Sequence, residues 1–247
     1  MNKELIHSFS AKWKRFFGDA ELPVTFEYAN DLHGAEAVIA ASSFQCFIAY
    51  LERVRAGESL AFGTKSFACA GGRYYTGFAP RLRSGIAEFL SCDAKGEGGR
   101  YKRNPVIAQR AIDSVPWEAA PAAYLIFKRW DKLTASDNPE AVIFFAEPDV
   151  LAGLFTLAGY DEPDVHGALI TPFSSGCGSI VLWPHHEAKQ DHPHAVLGMF
   201  DVSARPHVPA NTLTFAVPMK KFERMVANID ESFLITESWT KVRKRIG

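Results

Sequence analysis

Gly167-Ala168-Leu169-Ile170-Thr171-Pro172-Phe173-Ser174-Ser175-Gly176-Cys177-Gly178-Ser179-Ile180-Val181-Leu182-Trp183 is the stretch whose reading decides the fold. Ala168-Leu169-Ile170 reads as a short buried strand. Ser174 to Ser179 reads as a Gly-rich turn, and Ile180 begins a further apolar run. A strand feeding a Gly-rich turn that opens a helix leaves free backbone N–H groups at the helix start. Such a place attracts an anion and lowers the pKa of a thiol held there. Cys177 occupies it.

Upstream, Ala141-Val142-Ile143-Phe144-Phe145 is almost wholly apolar, the pattern of a strand buried on both faces. Glu147-Pro148-Asp149 then starts a helix through Leu151, Leu154, Phe155 and Leu157, stopped at Gly159. With the strand at 168–170 this makes one βαβ unit. The turn around Cys177, the run to Trp183 and a strand at 195–200 make a second. Thr212 to Val217 is a last strand, Pro218 opens a helix at 219–229, and a basic helix at 239–246 follows.

The first half is less regular. Leu5, Ile6, Phe9, Trp13, Phe16 and Phe17 recur at helical spacing up to Gly18. Val24-Thr25-Phe26-Glu27-Tyr28 alternates as a strand does. Residues 37–55 read as a helix with Phe44, Phe47, Ile48, Leu51 and Val54 on one face and Cys46 beside it. Residues 59–62 and 65–68 read as two short strands, followed by Cys69-Ala70-Gly71-Gly72 as a tight turn. A brief helix precedes Cys92. Asn104-Pro105 restarts a helix with Val106, Ile107 and Ile112 inward, and Tyr124-Leu125-Ile126-Phe127 is a strand. The fold class that follows is α/β or α+β: a mixed sheet flanked by helices, with βαβ-like units in the C-terminal half. Residues 1–247 form a single globular domain, or two intimately packed halves of about 1–115 and 116–247.

An apolar content of 47% with 22% charged residues is that of a globular chain. A formal charge of −1 gives no overall field toward nucleic acid or an anionic membrane. No apolar run has the length of a membrane span, and the N-terminus reads as an amphipathic helix and not as a signal core. A cytoplasmic location is expected, with Cys46, Cys69, Cys92 and Cys177 reduced.

Two functional readings follow. In the first, Cys46, Cys69 and Cys177 converge as metal ligands, with Cys92 a candidate fourth, because thiolates suit an iron–sulfur cluster or another soft metal. The protein is then a redox or metal protein, with a redox partner. In the second, no metal is bound. Gly71, Gly72, Gly176 and Gly178 bring backbone close to a small anionic ligand, and Arg205 clamps it. Neither turn matches a P-loop or a dinucleotide fingerprint. Arg205 is equally a loop brace paired with Asp201. Arg100, Lys102 and Arg103 read as a solvated charge run or as a lid. His185-His186-Glu187 with Asp191, His192 and His194 reads as a polar surface loop, with zinc binding the alternative. Ser175 and Ser179 lack a hydrolase nucleophile's context. A third possibility is an assembly role, with homo-oligomerisation or docking through Trp239, Lys241, Arg243, Lys244 and Arg245.

The order of features carries a resemblance. A Cys-bearing helix ends at Ala56-Gly57, and Cys69-Ala70-Gly71-Gly72 follows with Gly77 beyond. Then come Ser175-Gly176-Cys177-Gly178, Leu197-Gly198-Met199-Phe200-Asp201 with Arg205, Phe215-Ala216-Val217-Pro218, and Ser232-Phe233-Leu234 before Trp239. From about Cys46 to the C-terminus the chain resembles the prokaryotic domain-of-unknown-function family 169, the ArCR family. The resemblance supports the weight placed on the Cys/Gly turns. It implies no reaction, catalytic residue or substrate.

Overall fold

In the computed structural model, residues 1–39, 43–92 and 99–246 are described. Their frame is an eight-stranded mixed sheet, ordered β2-β3-β4-β1-β5-β8-β7-β6. The strands are β1 Val24–Ala29, β2 Glu36–Ala37, β3 Leu60–Phe62, β4 Tyr124–Arg129, β5 Ala141–Ala146, β6 Leu169–Ile170, β7 Ala195–Gly198 and β8 Leu213–Pro218. Parallel pairs, β2 with β3 and β6 with β7, lie at the two edges, and every inner pairing is antiparallel.

Strand β5 is buried along its whole length, and successive side chains enter opposite layers. Val142, Phe144 and Ala146 pack with α1 (Lys3–Phe17), α6 (Pro148–Ala158), α8 (Met219–Asn228) and α9 (Glu237–Arg243). Ala141, Ile143 and Phe145 pack with α2 (Phe47–Arg55) and with Ile180 and Val181. Both expected βαβ units form. α6 links β5 to β6, and a helical run links β6 to its parallel neighbour β7. That second run covers 176–187. Its middle, Gly178–Leu182, is π-helical, and it ends as α7, Trp183–Glu187. Pro184 has no N–H to offer a preceding carbonyl, and the turn before it widens so that the Trp183 N–H reaches the Gly178 carbonyl.

Several expectations are corrected. The helix expected over 37–55 begins only at Phe47. Glu36–Ala37 is a strand, Phe44 is exposed, Cys46 is the N-cap, and 40–42 lie outside the described residues. Residues 65–68 form no strand. Cys69-Ala70-Gly71-Gly72 is no turn but the cap and first residues of α3, Ala70–Tyr75. α4 (Ile86–Ser91) and α5 (Pro105–Asp113) form, but Val106 and Ile107 face outward and Ala108 is the buried residue. Trp239, considered for docking on a partner, is buried against Phe17 and Phe233, its indole N–H donating to the Phe16 carbonyl at 2.8 Å.

Glu27, on a polar beat of the alternation in β1, is buried, as are Lys128 and Asp137. The Lys128 ammonium donates to Asp137 Oδ1 at 2.6 Å and to the His33 carbonyl at 2.7 Å. Glu27 accepts from the Asn138 N–H at 2.5 Å and meets His33 Nδ1 at 2.9 Å. Each buried charge therefore has a partner, the condition under which burial is tolerated.

Two tests follow. A methyl group on Gly153 of α6 would lie 2.4 Å from the Trp239 ring and 2.9 Å from Phe17. Gly153→Ala is expected to destabilise by about 1–3 kcal/mol in urea melts, against the roughly 1 kcal/mol that alanine gains in a helix; a stabilised variant would contradict this packing. The His33 pKa is raised, chiefly by its hydrogen bond to Glu27. A raised folded-state pKa stabilises fully below the unfolded value of about 6.5, and the gain is lost as pH rises through the folded-state value. His33→Gln is expected to flatten that loss when stability is measured against pH; an unchanged profile would contradict it.

Candidate functional site

The three cysteines expected to converge each stand at a helix start on one face of the sheet. Cys46 caps α2. Cys69 caps α3, its sulfur accepting from the Gly72 N–H at 3.0 Å. Cys177 lies in the first turn of the 176–187 helix, buried among the residues of the α2 layer. Burial pushes the Cys177 thiol well up, and the nearby Cys69 and Cys46 sulfurs push the same way. Cys46 is raised by burial too, with Cys69 again contributing, although the Ile48 and Ala49 amides favour its thiolate. The three thiols thus share one electrostatic neighbourhood. The low pKa expected of Cys177 at a helix start is corrected: desolvation outweighs the helix.

Close backbone packing makes this neighbourhood. A Cβ on Gly176 would lie 2.8 Å from Ala204 Cβ and 3.3 Å from both Ile48 Cγ1 and Met199 Sδ. On Gly178 it would overlap Ser174 Oγ and approach Tyr75 at 3.0 Å; on Gly72 it would stand 3.0 Å from Phe47 Cβ and 3.4 Å from the Cys69 sulfur. Gly71, by contrast, has only the Cys69 sulfur nearby, at 3.9 Å. These glycines admit neighbouring side chains, and none adopts a positive φ. Met199 does, at φ 67°, while fully buried. A long side chain held in the left-handed region costs about 1–3 kcal/mol and clusters at functional sites. Tyr75 completes the wall, its hydroxyl pKa raised by burial and by Cys177.

The groups expected to hold an anion are taken by the protein itself. Asp201 Oδ2 accepts from the Gly176 N–H at 3.1 Å, and its Oδ1 accepts from the Ser203 N–H and hydroxyl. Ser175 Oγ caps the same helix by accepting from the Gly178 N–H at 3.1 Å. The Ser179 hydroxyl donates to the Gly176 carbonyl at 2.9 Å. The Arg205 side chain does not pair with Asp201. Its guanidinium donates to the carbonyls of Pro209, Ala210 and Thr212, bracing that loop.

Cys92, the candidate fourth ligand, is exposed at the end of α4 and is absent from the groups that perturb the other thiols. In the expected lid, Lys102 sits 3.5 Å over the Phe173 ring; 93–98 lie outside the described residues. His185, His186 and Glu187 lie on α7 and not in a loop. Glu140 holds His185, and Glu187 holds His194 at 2.9 Å. Among the described residues, the group whose metal-capable atoms lie within 4.8 Å of one another is Glu27, His33 and Asp137. Sequence reasoning missed that group, and Lys128 already places an ammonium there.

Fold and site together define a mixed-sheet α/β protein in which Cys177 is buried and Cys46 and Cys69, each capping a helix, are half-buried. The chain belongs to DUF169, the uncharacterised ArCR family, whose model matches residues 15–228. Neither a curated protein nor a solved structure matches it. Among the described residues, no helix is long and apolar enough to cross a membrane.

Burial orders the thiols in a way that chemistry can read. Cys92 is expected to react with a disulfide reagent at once in the native, metal-free protein, Cys46 and Cys69 more slowly, and Cys177 only on unfolding. Rapid native labelling of Cys177, mapped by mass spectrometry, would contradict the pocket.

Proposed function

We propose that Cys46, Cys69 and Cys177 hold an iron–sulfur cluster, and that the protein is a redox or metal protein built on it. The observation that carries this reading is the shared neighbourhood of three thiols brought in by three separate helix starts. Thiolate ligands suit soft metals and iron–sulfur clusters. Burial that raises a free thiol's pKa is overcome when a cation takes the proton's place. The spacing favours a cluster over one ion. Around a single tetrahedral zinc, with Zn–S about 2.3 Å, sulfurs stand roughly 3.8 Å apart. Cys46, Cys69 and Cys177 are not among the groups whose ligand atoms all lie within 4.8 Å. A cluster of several metal ions spans a wider set of sulfurs. With Cys92 exposed and apart, three protein thiolates leave one cluster metal without a cysteine.

The test is anaerobic purification with a visible spectrum and iron and sulfide analysis. Brown protein with stoichiometric iron and sulfide is expected. Cys46→Ser, Cys69→Ser and Cys177→Ser should each lose most of both, and Cys92→Ser should keep them. Colourless, metal-free protein after anaerobic reconstitution would overturn the reading, as would full iron content in Cys177→Ser.

A further inference from the structure

We propose that the cleft between the 80–88 segment and α5 binds a small carboxylate that carries an amino or hydroxyl group. Tyr74, Arg81, Arg83, Ser84, Glu88 and Gln109 are among the residues lining this cleft, whose volume is about 560 Å³. That is the size of a small-molecule site. The proposal stands apart from the cysteine reading and needs no metal.

Charge is the first argument. Residues 65–110 carry nine Lys and Arg against three Asp and Glu, in a chain whose formal charge is −1. Most of the cleft is lined from that segment, and Ile112, Asp113 and Val115 just past it complete the lining.

Pairing is the second. Arg53, Arg55, Arg129 and Arg224 each hold a carboxylate. Arg245 pairs with Asp149, and Arg205 is spent on carbonyls. Among the described residues, neither Arg81 nor Arg83 donates to a carboxylate or a carbonyl. Arg83 stacks 4.7 Å over the Phe89 ring, which orients the guanidinium plane without using its N–H donors. Two forked cations with unspent donors in one cleft match a carboxylate's geometry.

The acidic groups set the rest of the ligand. Glu88 lines the same cleft and forms no ion pair among the described residues. Gln109 gives its amide N–H to Asp113 Oδ1 at 2.7 Å, which leaves its carbonyl oxygen as an acceptor. A second anionic group would meet Glu88 as a like charge. An ammonium or a hydroxyl finds acceptors in Glu88 and Gln109. An amino or hydroxy acid satisfies both ends, and inorganic phosphate only one.

The experiment is isothermal titration of the full chain with propionate, lactate, alanine and inorganic phosphate. These carboxylates differ in bearing hydrogen, hydroxyl or amino at one carbon. Lactate or alanine is expected to bind more tightly than propionate or phosphate. Arg81→Ala combined with Arg83→Ala should weaken binding by roughly tenfold or more without moving the melting temperature of the free protein, since both side chains are exposed. Glu88→Gln should remove the preference over propionate. No binding of lactate or alanine at millimolar concentration would overturn the proposal, as would undiminished binding by the arginine double variant. A preference for phosphate, or binding of a nucleic-acid oligomer in place of all four probes, would overturn it too.

Discussion

Three stretches of chain meet where a side chain on Gly176 would be. Ile48 comes from α2, Met199 from the end of β7, and Ala204 from the loop after it, all within 3.3 Å of that vacant Cβ position. The helix of 176–187 can lie against α2 only because nothing projects there. That approach packs the helix start carrying Cys177 against Ile48, two residues past Cys46, and a second close approach packs Gly72 of α3 against Phe47, the residue after Cys46. A larger residue at 176 would push these segments apart, since overpacking a dense core is relieved by backbone movement. The cysteine neighbourhood is thus a consequence of small residues at contact points.

The same place shows why a helix start is not of itself a ligand site. Its free N–H groups are the feature that suggests an anion, yet here Asp201 and Ser175 accept from them. Arg205, four residues past Asp201, ties this loop to the carbonyls of Pro209, Ala210 and Thr212. What the pocket retains is sulfur, a hydroxyl from Tyr75 and a strained methionine. Those groups are soft or weakly polar, and they suit a metal centre better than a hard anion. The buried ionic network around Glu27 is the opposite case: every charge in it has a partner, so it braces the sheet and offers a ligand little.

Much of the frame was legible in the sequence. The runs of β5 and β8 and the amphipathic stripes of α1 and α8 have periods that few alternatives share. The failures have local causes. Glycines in Cys69-Ala70-Gly71-Gly72 read as a turn, but they open a helix because Cys69 caps it and Phe47 needs the room at Gly72. Val106 and Ile107 read as inward from their apolarity, and tertiary context turned Ala108 in instead. Glu27 sits on a polar beat of an alternating strand. The Asn138 N–H, over a hundred residues on, and His33 beyond the strand's end make its burial possible, and the strand's own alternation reports neither partner. The repeated Cys/Gly pairs point to the two cysteine-bearing segments; the close packing of Gly176 depends on Ile48, Met199 and Ala204, which carry no signal of their own.

Sulfur anomalous diffraction from a crystal grown anaerobically tests the central claim most directly. The account expects the Cys46, Cys69 and Cys177 sulfurs as neighbouring peaks around metal density, with Cys92 remote from them. Three sulfurs lying in separate apolar pockets, with no metal between them, would contradict it.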